Sequence, residues 1–88
     1  VTLHSVEAIE DYIADYIGRE LFISPSEIDF SEPFGSFGMS SMSGVKLIGL
    51  LEDKIGVRIN PTLIFSNPTI ESLAKKLFEM KVSNAVMT

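Results

Sequence analysis

The chain has 88 residues, 45% of them hydrophobic and 22% charged, with a net charge of −5, no cysteine and a single histidine. This is the composition of one small folded domain with one core, and the acidic balance argues against nucleic acid or an anionic membrane surface as partner. No apolar run approaches the roughly 20 residues that cross a bilayer, no signal-peptide pattern opens the chain, and the missing thiols exclude disulfides, zinc–thiolate sites and cysteine nucleophiles. A reducing cytoplasm fits these features.

The first predicted element is an amphipathic helix over about residues 5–23. Val6, Ile9, Ile13, Ile17 and Leu21 recur at helical spacing, while Glu7, Glu10, Asp11 and Asp15 form a wet acidic face. Ser5 is the expected N-cap, and acids in the first turns suit the positive end of the helix dipole. Glu10 and Asp11 are neighbouring carboxylates, but on an exposed face such a pair serves solvation rather than acid–base chemistry. His4 stands alone near the terminus with no obvious metal-ligand partner.

Ser24-Pro25-Ser26 is expected to stop this helix. From there to Met39 the chain reads as a long loop with a short helical turn near Ser26 to Ile28. Ile28, Phe30, Phe34 and Phe37 are too many large apolar groups for a free tail. The segment is therefore expected to lie across the helices as a strap and to bury some of these side chains.

A second helix is predicted over about residues 41–55. Gly44, Leu47, Ile48, Leu51 and Ile55 share one stripe, assigned to the core. Met42, Val45 and Gly49 fall on a neighbouring stripe beside Ser41. They read either as a wide core face or as a small apolar platform for partner proteins. Ser40 and Ser41 stand where the helix begins. One serine there can cap orphan backbone N–H groups, and two allow Ser40 to cap while Ser41 presents a free hydroxyl.

Gly56 is a natural end for the second helix. Val57-Arg58-Ile59 is a short extended link, and Asn60-Pro61 looks like a cap followed by proline at the first helical position of a short third helix through Leu63, Ile64 and Phe65. Asn67-Pro68-Thr69 breaks it, with Thr69 the expected cap of a fourth helix carrying Ile70, Leu73, Ala74, Leu77 and Phe78 on one stripe. Lys75, Lys76 and Lys81 suit its negative pole. Beyond Lys81 the periodicity fades, so residues 1–81 are read as the domain and 82–88 as a tail or linker.

No catalytic template fits these residues: there is no glycine-rich phosphate loop, no GxSxG elbow and no base paired with a serine. An exposed serine in such a chain is better placed as a substrate of modification than as a catalyst.

From Ile28 to Leu77 the chain resembles the acyl carrier and peptidyl carrier protein superfamily. The family's Gly-x-Asp-Ser-Leu signature stands here as Gly38-Met39-Ser40-Ser41-Met42. Leu51-Glu52 and Gly56 follow, then Thr62, Phe65 and Pro68-Thr69, and finally Leu73-Ala74 with Leu77. Pro33-Phe34 and the closing pattern look most like carrier domains of modular polyketide synthases. The resemblance implies an all-α fold, an antiparallel four-helix bundle with three longer helices, a short third one and a long loop between helices one and two. It implies a 4′-phosphopantetheine arm on Ser41, transferred from coenzyme A by a magnesium-dependent phosphopantetheinyl transferase. The arm's thiol then holds acyl or polyketide intermediates as thioesters for acyl-loading, condensing and tailoring enzymes. Met42 and Val45 match family positions that face partner enzymes. The sequence departs from the signature twice, with Ser40 in place of the aspartate and Met42 in place of the leucine. The charges of the second helix, Lys46, Glu52, Asp53 and Lys54, cancel. That favours a domain tethered to its enzymes over one steered by an acidic helix. The alternative reading is a helical docking module without a prosthetic group, whose serines only cap.

Overall fold

Three apolar stripes at helical spacing and one short apolar turn give four helices, and the computed structural model describes residues 5–86. They are α1 (Val6–Leu21), α2 (Ser41–Ile55), α3 (Leu63–Ser66) and α4 (Ile70–Val86). The architecture is the expected all-α bundle of three longer helices and a short third one, with a long connection between α1 and α2. His4 lies outside the described residues. No helix among the described residues is long and apolar enough to cross a membrane.

Ser5 caps α1 as expected, its Oγ accepting the Ala8 N–H at 3.1 Å. Ile9, Ile13, Ala14 and Ile17 are buried, and the helix packs most extensively on α4. Val6 and Leu21, at the two ends of the stripe, are only half-buried. The helix stops earlier than Ser24-Pro25-Ser26 suggests. Phe22 turns into the left-handed region (φ 58°, ψ 44°), and the N–H groups of Phe22 and Ile23 fold back onto the Gly18 carbonyl, the latter at 3.0 Å. The terminal carbonyls are thus satisfied before the proline is reached. Pro25–Glu27 then forms a single 3₁₀ turn, one residue earlier than expected.

The connection to α2 is a strap. Ile28 and Phe34 are buried, and Phe30 and Phe37 are half-buried. Its backbone is bonded to the start of α4: the Glu71 N–H donates to the Phe30 carbonyl at 3.1 Å, and the Phe34 N–H donates to Pro68 at 2.8 Å. The first of these satisfies an orphan donor of α4. Asp29 Oδ1 accepts the Ser31 hydroxyl at 2.6 Å and the Ser31 N–H at 2.9 Å. These bonds hold the Asp29 carboxyl below its ordinary range. A second 3₁₀ turn, Phe34–Phe37, lies where the sequence suggests plain loop.

Beyond α2, Gly56 takes the left-handed conformation (φ 81°) and ends the helix. The Glu52 carboxylate reaches forward to accept the Ile59 N–H at 2.7 Å, tying the extended link back to α2 while Ile59 is buried. The third helix begins later than Asn60-Pro61 suggests, at Leu63 with Thr62 in the cap position. Asn60 Oδ1 accepts both the Thr62 N–H and hydroxyl, at 3.0 and 2.9 Å, so its side chain closes a turn around Pro61 instead of capping the helix. Thr69 caps α4 as expected, in a reciprocal arrangement. Thr69 Oγ1 accepts the Ser72 N–H, and Ser72 Oγ accepts the Thr69 N–H, both at 3.1 Å. Ile70, Leu73, Ala74 and Leu77 are buried and Phe78 is half-buried. The helix continues to Val86, so residues 82–86 are helical where a fraying tail is expected; 87–88 lie outside the described residues.

Candidate functional site

Three serines open α2, and the fold gives them different tasks. Gly38, in the left-handed region (φ 80°), ends the second 3₁₀ turn and swings the chain toward the helix. Ser40 then takes an extended conformation (φ −79°, ψ 163°), and its Oγ accepts the Ser43 N–H at 3.2 Å. The Ser40 carbonyl accepts the Gly44 N–H at 3.1 Å, the first α-helical bond of α2. Ser40 is therefore the cap, as its position predicts.

Ser43 is held from α1. Its Oγ donates to Glu20 Oε1 at 3.3 Å and accepts the Ser40 hydroxyl at 3.2 Å, while its carbonyl accepts the Tyr16 hydroxyl at 2.9 Å. Burial and the nearby Glu20 carboxylate push the Tyr16 phenol above its ordinary value, so it stays a donor at neutral pH. None of these contacts from α1 is legible from sequence, because sequence spacing carries no signal for a bond across 23 or 27 residues.

Ser41 is left over. It is the first residue of α2, it is exposed, and its hydroxyl makes no hydrogen bond among the described residues. Apart from the Ser43 N–H, which Ser40 Oγ takes, the first backbone N–H groups of α2 have no intrahelical acceptor, and the helix dipole favours negative charge there. A phosphate ester on the exposed Ser41 would bring its negative charge to this end of the helix, so the residues present fit the group that the signature implies.

Beside Ser41 opens a cleft of about 280 Å³. Ser41 and Val45 line it with Met39, Ile64, Phe65 and Phe34. Phe65, on α3, is 71% exposed at this cleft, a contribution that its place in the third helix did not suggest. Met42 and Val45 are 80% and 54% exposed, and a Cβ built on Gly49 would meet nothing within 4 Å. The structure thus puts Met42, Val45 and Gly49 on the open side of α2, while Gly44, Leu47, Ile48, Leu51 and Ile55 are buried. No cluster of acidic or histidine side chains suited to a metal ion occurs among the described residues.

Residues 11–77 match the family described as the phosphopantetheine attachment site. The chain belongs to this family of carrier domains. An acyl carrier protein of Teredinibacter turnerae, TtuC, is 37% identical over 71 residues, which cover 81% of this chain and 82% of that protein. A phenolphthiocerol/phthiocerol polyketide synthase protein of Mycobacterium tuberculosis is 29% identical over 69 residues, or 78% of this chain and 4% of that much longer protein. The carrier domain thus spans most of one relative and a small part of the other. Among solved structures, Asl1650, an acyl carrier protein from Anabaena with a variant phosphopantetheinylation-site sequence, superposes with a TM-score of 0.84 at 37% identity, covering 92% of both chains. A free-standing peptidyl carrier protein from Acinetobacter baumannii gives 0.82 at 28% identity, covering 88% of this chain and 96% of the other.

A carrier domain tethers acyl intermediates for the enzymes of a synthase and leaves the chemistry to them. Its 4′-phosphopantetheine arm supplies the thiol that this cysteine-free chain lacks, and acyl groups ride on it as thioesters.

Proposed function

We propose that Ser41 is the attachment residue of this carrier domain, and that Met42, Val45 and Gly49 form the surface its partner enzymes touch. The observation that carries the reading is the division of labour among the serines. The hydroxyls of Ser40 and Ser43 are engaged, and that of Ser41 is exposed and unbonded. Ser41 also holds the serine register of the signature. No titratable side chain of the described residues bonds it. In this reading the proton of Ser41 Oγ goes to a base that the transferase supplies. Ser41 Oγ forms the new bond to phosphorus, and the bond from that phosphorus to the nucleotide half of coenzyme A breaks.

The transferase, and then acyl-loading, condensing and tailoring enzymes, are the partners in this reading, and the relatives favour polyketide intermediates as cargo. Because coenzyme A is the donor, the reading places the chain in the cytoplasm. The test is intact mass after incubation with coenzyme A, magnesium and a broad-specificity phosphopantetheinyl transferase. The wild type and Ser43→Ala should gain one arm, and Ser41→Ala should gain none while keeping its helical spectrum. An arm on Ser41→Ala overturns the assignment. A wild type that gains nothing overturns it as well.

A further inference from the structure

Tyr16 and Glu20 stand one turn apart on α1 and grip Ser43 at two points: Tyr16 donates to its carbonyl at 2.9 Å, and Glu20 accepts from its hydroxyl at 3.3 Å. An ionised carboxylate can only accept, so Glu20 fixes the direction of the hydroxyl chain. Ser43 must donate to Glu20, which leaves its oxygen to accept from Ser40, and Ser40 is then left to accept the Ser43 N–H. The two bonds are cooperative and draw negative charge toward the cap. Glu20 forms no ion pair among the described residues, so its charge is not spent on a cation nearby.

We infer that Glu20 is a positioning residue for modification of Ser41, supplying through Ser43 and Ser40 the negative charge at the head of α2 that the aspartate of the signature would supply directly. This rests on Ser41 being the attachment residue. The same relay pins the hydroxyls on either side, so that Ser41 alone is presented. Ser40 in place of aspartate is then no loss of the carboxylate but its displacement onto the neighbouring helix.

The experiment measures transferase kcat and KM for four proteins: wild type, Glu20→Ala, Glu20→Gln, and Glu20→Ala combined with Ser40→Asp. Backbone amide exchange at Ser43 is followed in the unmodified proteins. Glu20→Ala should lower kcat/KM roughly three- to tenfold, the scale of one partly exposed charge-assisted hydrogen bond. It should speed exchange at Ser43 without speeding it at Ile48 in the core. Glu20→Gln keeps an acceptor without the charge and should fall between. Adding Ser40→Asp to Glu20→Ala should restore kcat/KM, since aspartate both caps and carries the charge. Wild-type kinetics in Glu20→Ala overturn the inference, and so does a loss that Ser40→Asp does not restore, which would make Glu20 merely structural. A Ser41→Ala arm run alongside separates the two failures: modification of that variant removes the attachment reading itself, whatever Glu20 does.

Discussion

Gly44 of α2 and Ile64 of α3 meet beneath the cleft, where a Cβ built on Gly44 would lie 3.2 Å from Ile64 Cδ1. The short helix can approach α2 because this position carries no side chain. Alanine there would gain about 1 kcal/mol in helix propensity and lose part of it to crowding of the flexible end of Ile64. Gly44→Ala should therefore change stability by no more than about 1 kcal/mol. Gly44→Leu has no such room: it should destabilise by roughly 1–3 kcal/mol and narrow the cleft beside Ser41. Urea melts of the two variants check this, and a Gly44→Leu protein as stable as wild type would show that α3 shifts freely.

Val45 and Leu51 divide the open and buried sides of α2, being 54% and 0% exposed. Val45→Glu should change stability by about 0.5 kcal/mol or less, as exposed substitutions do, whereas Leu51→Ala should cost roughly 2–5 kcal/mol. Val45→Glu should still impair acyl transfer, because a charge would have to be desolvated at an apolar contact. Thermal melts, with transfer assayed well below both midpoints, separate the two effects. Normal transfer by Val45→Glu would remove Val45 from the partner surface.

The parts of this fold that sequence makes legible are those with a period. The stripe of α2 from Gly44 to Ile55 is buried throughout, and the caps Ser5, Ser40 and Thr69 bond as their positions predict. Where two local signals compete, the reading slips. Asn60 can either cap a helix or close a turn, and its side chain closes the turn around Pro61, so the helix starts only at Leu63. The end of α1 slips for a similar reason, because a phenylalanine in a left-handed conformation leaves no mark in sequence. Ser41 could be placed from its signature register. The grip of Tyr16 and Glu20 on Ser43 could not, since it depends on how two helices pack and not on any spacing within one.

Phe22 holds φ 58° with its ring 94% exposed. The turn needs this conformation, since two N–H groups converge on the Gly18 carbonyl, yet the ring gains little from burial. Glycine adopts it without the Cβ clash, so Phe22→Gly should stabilise by about 0.5–1 kcal/mol, raising Tm by roughly 3–6 °C in a domain this size. Gly18→Ala should act the other way, by roughly 1–3 kcal/mol, because its Cβ would sit 2.7 Å from the Ile23 carbonyl oxygen. Calorimetry reads both. A lower Tm for Phe22→Gly would mean that the ring contributes packing that its exposure conceals.

Glu10 faces a crowded acidic corner where α1 meets the start of α4. Burial, and then Glu7, Glu71 and Asp11, raise its pKa above the ordinary glutamate value. A carboxyl whose pKa is higher in the folded chain than in the unfolded one binds its proton more tightly when folded. Its ionised form is therefore a cost to the fold at neutral pH, and protonation removes that cost. Glu10→Gln, which is neutral at every pH, should melt higher than wild type at pH 7, by roughly 1–3 °C. The gap should begin to close as pH falls through the raised folded-state pKa, and should be gone below the ordinary glutamate range, where wild-type Glu10 is neutral in both states. Melting curves of the two proteins from pH 7 down to pH 3 test the sign. A gap that widens on acidification would mean that ionised Glu10 stabilises the fold, and that repulsion from Glu7, Glu71 and Asp11 does not govern this corner.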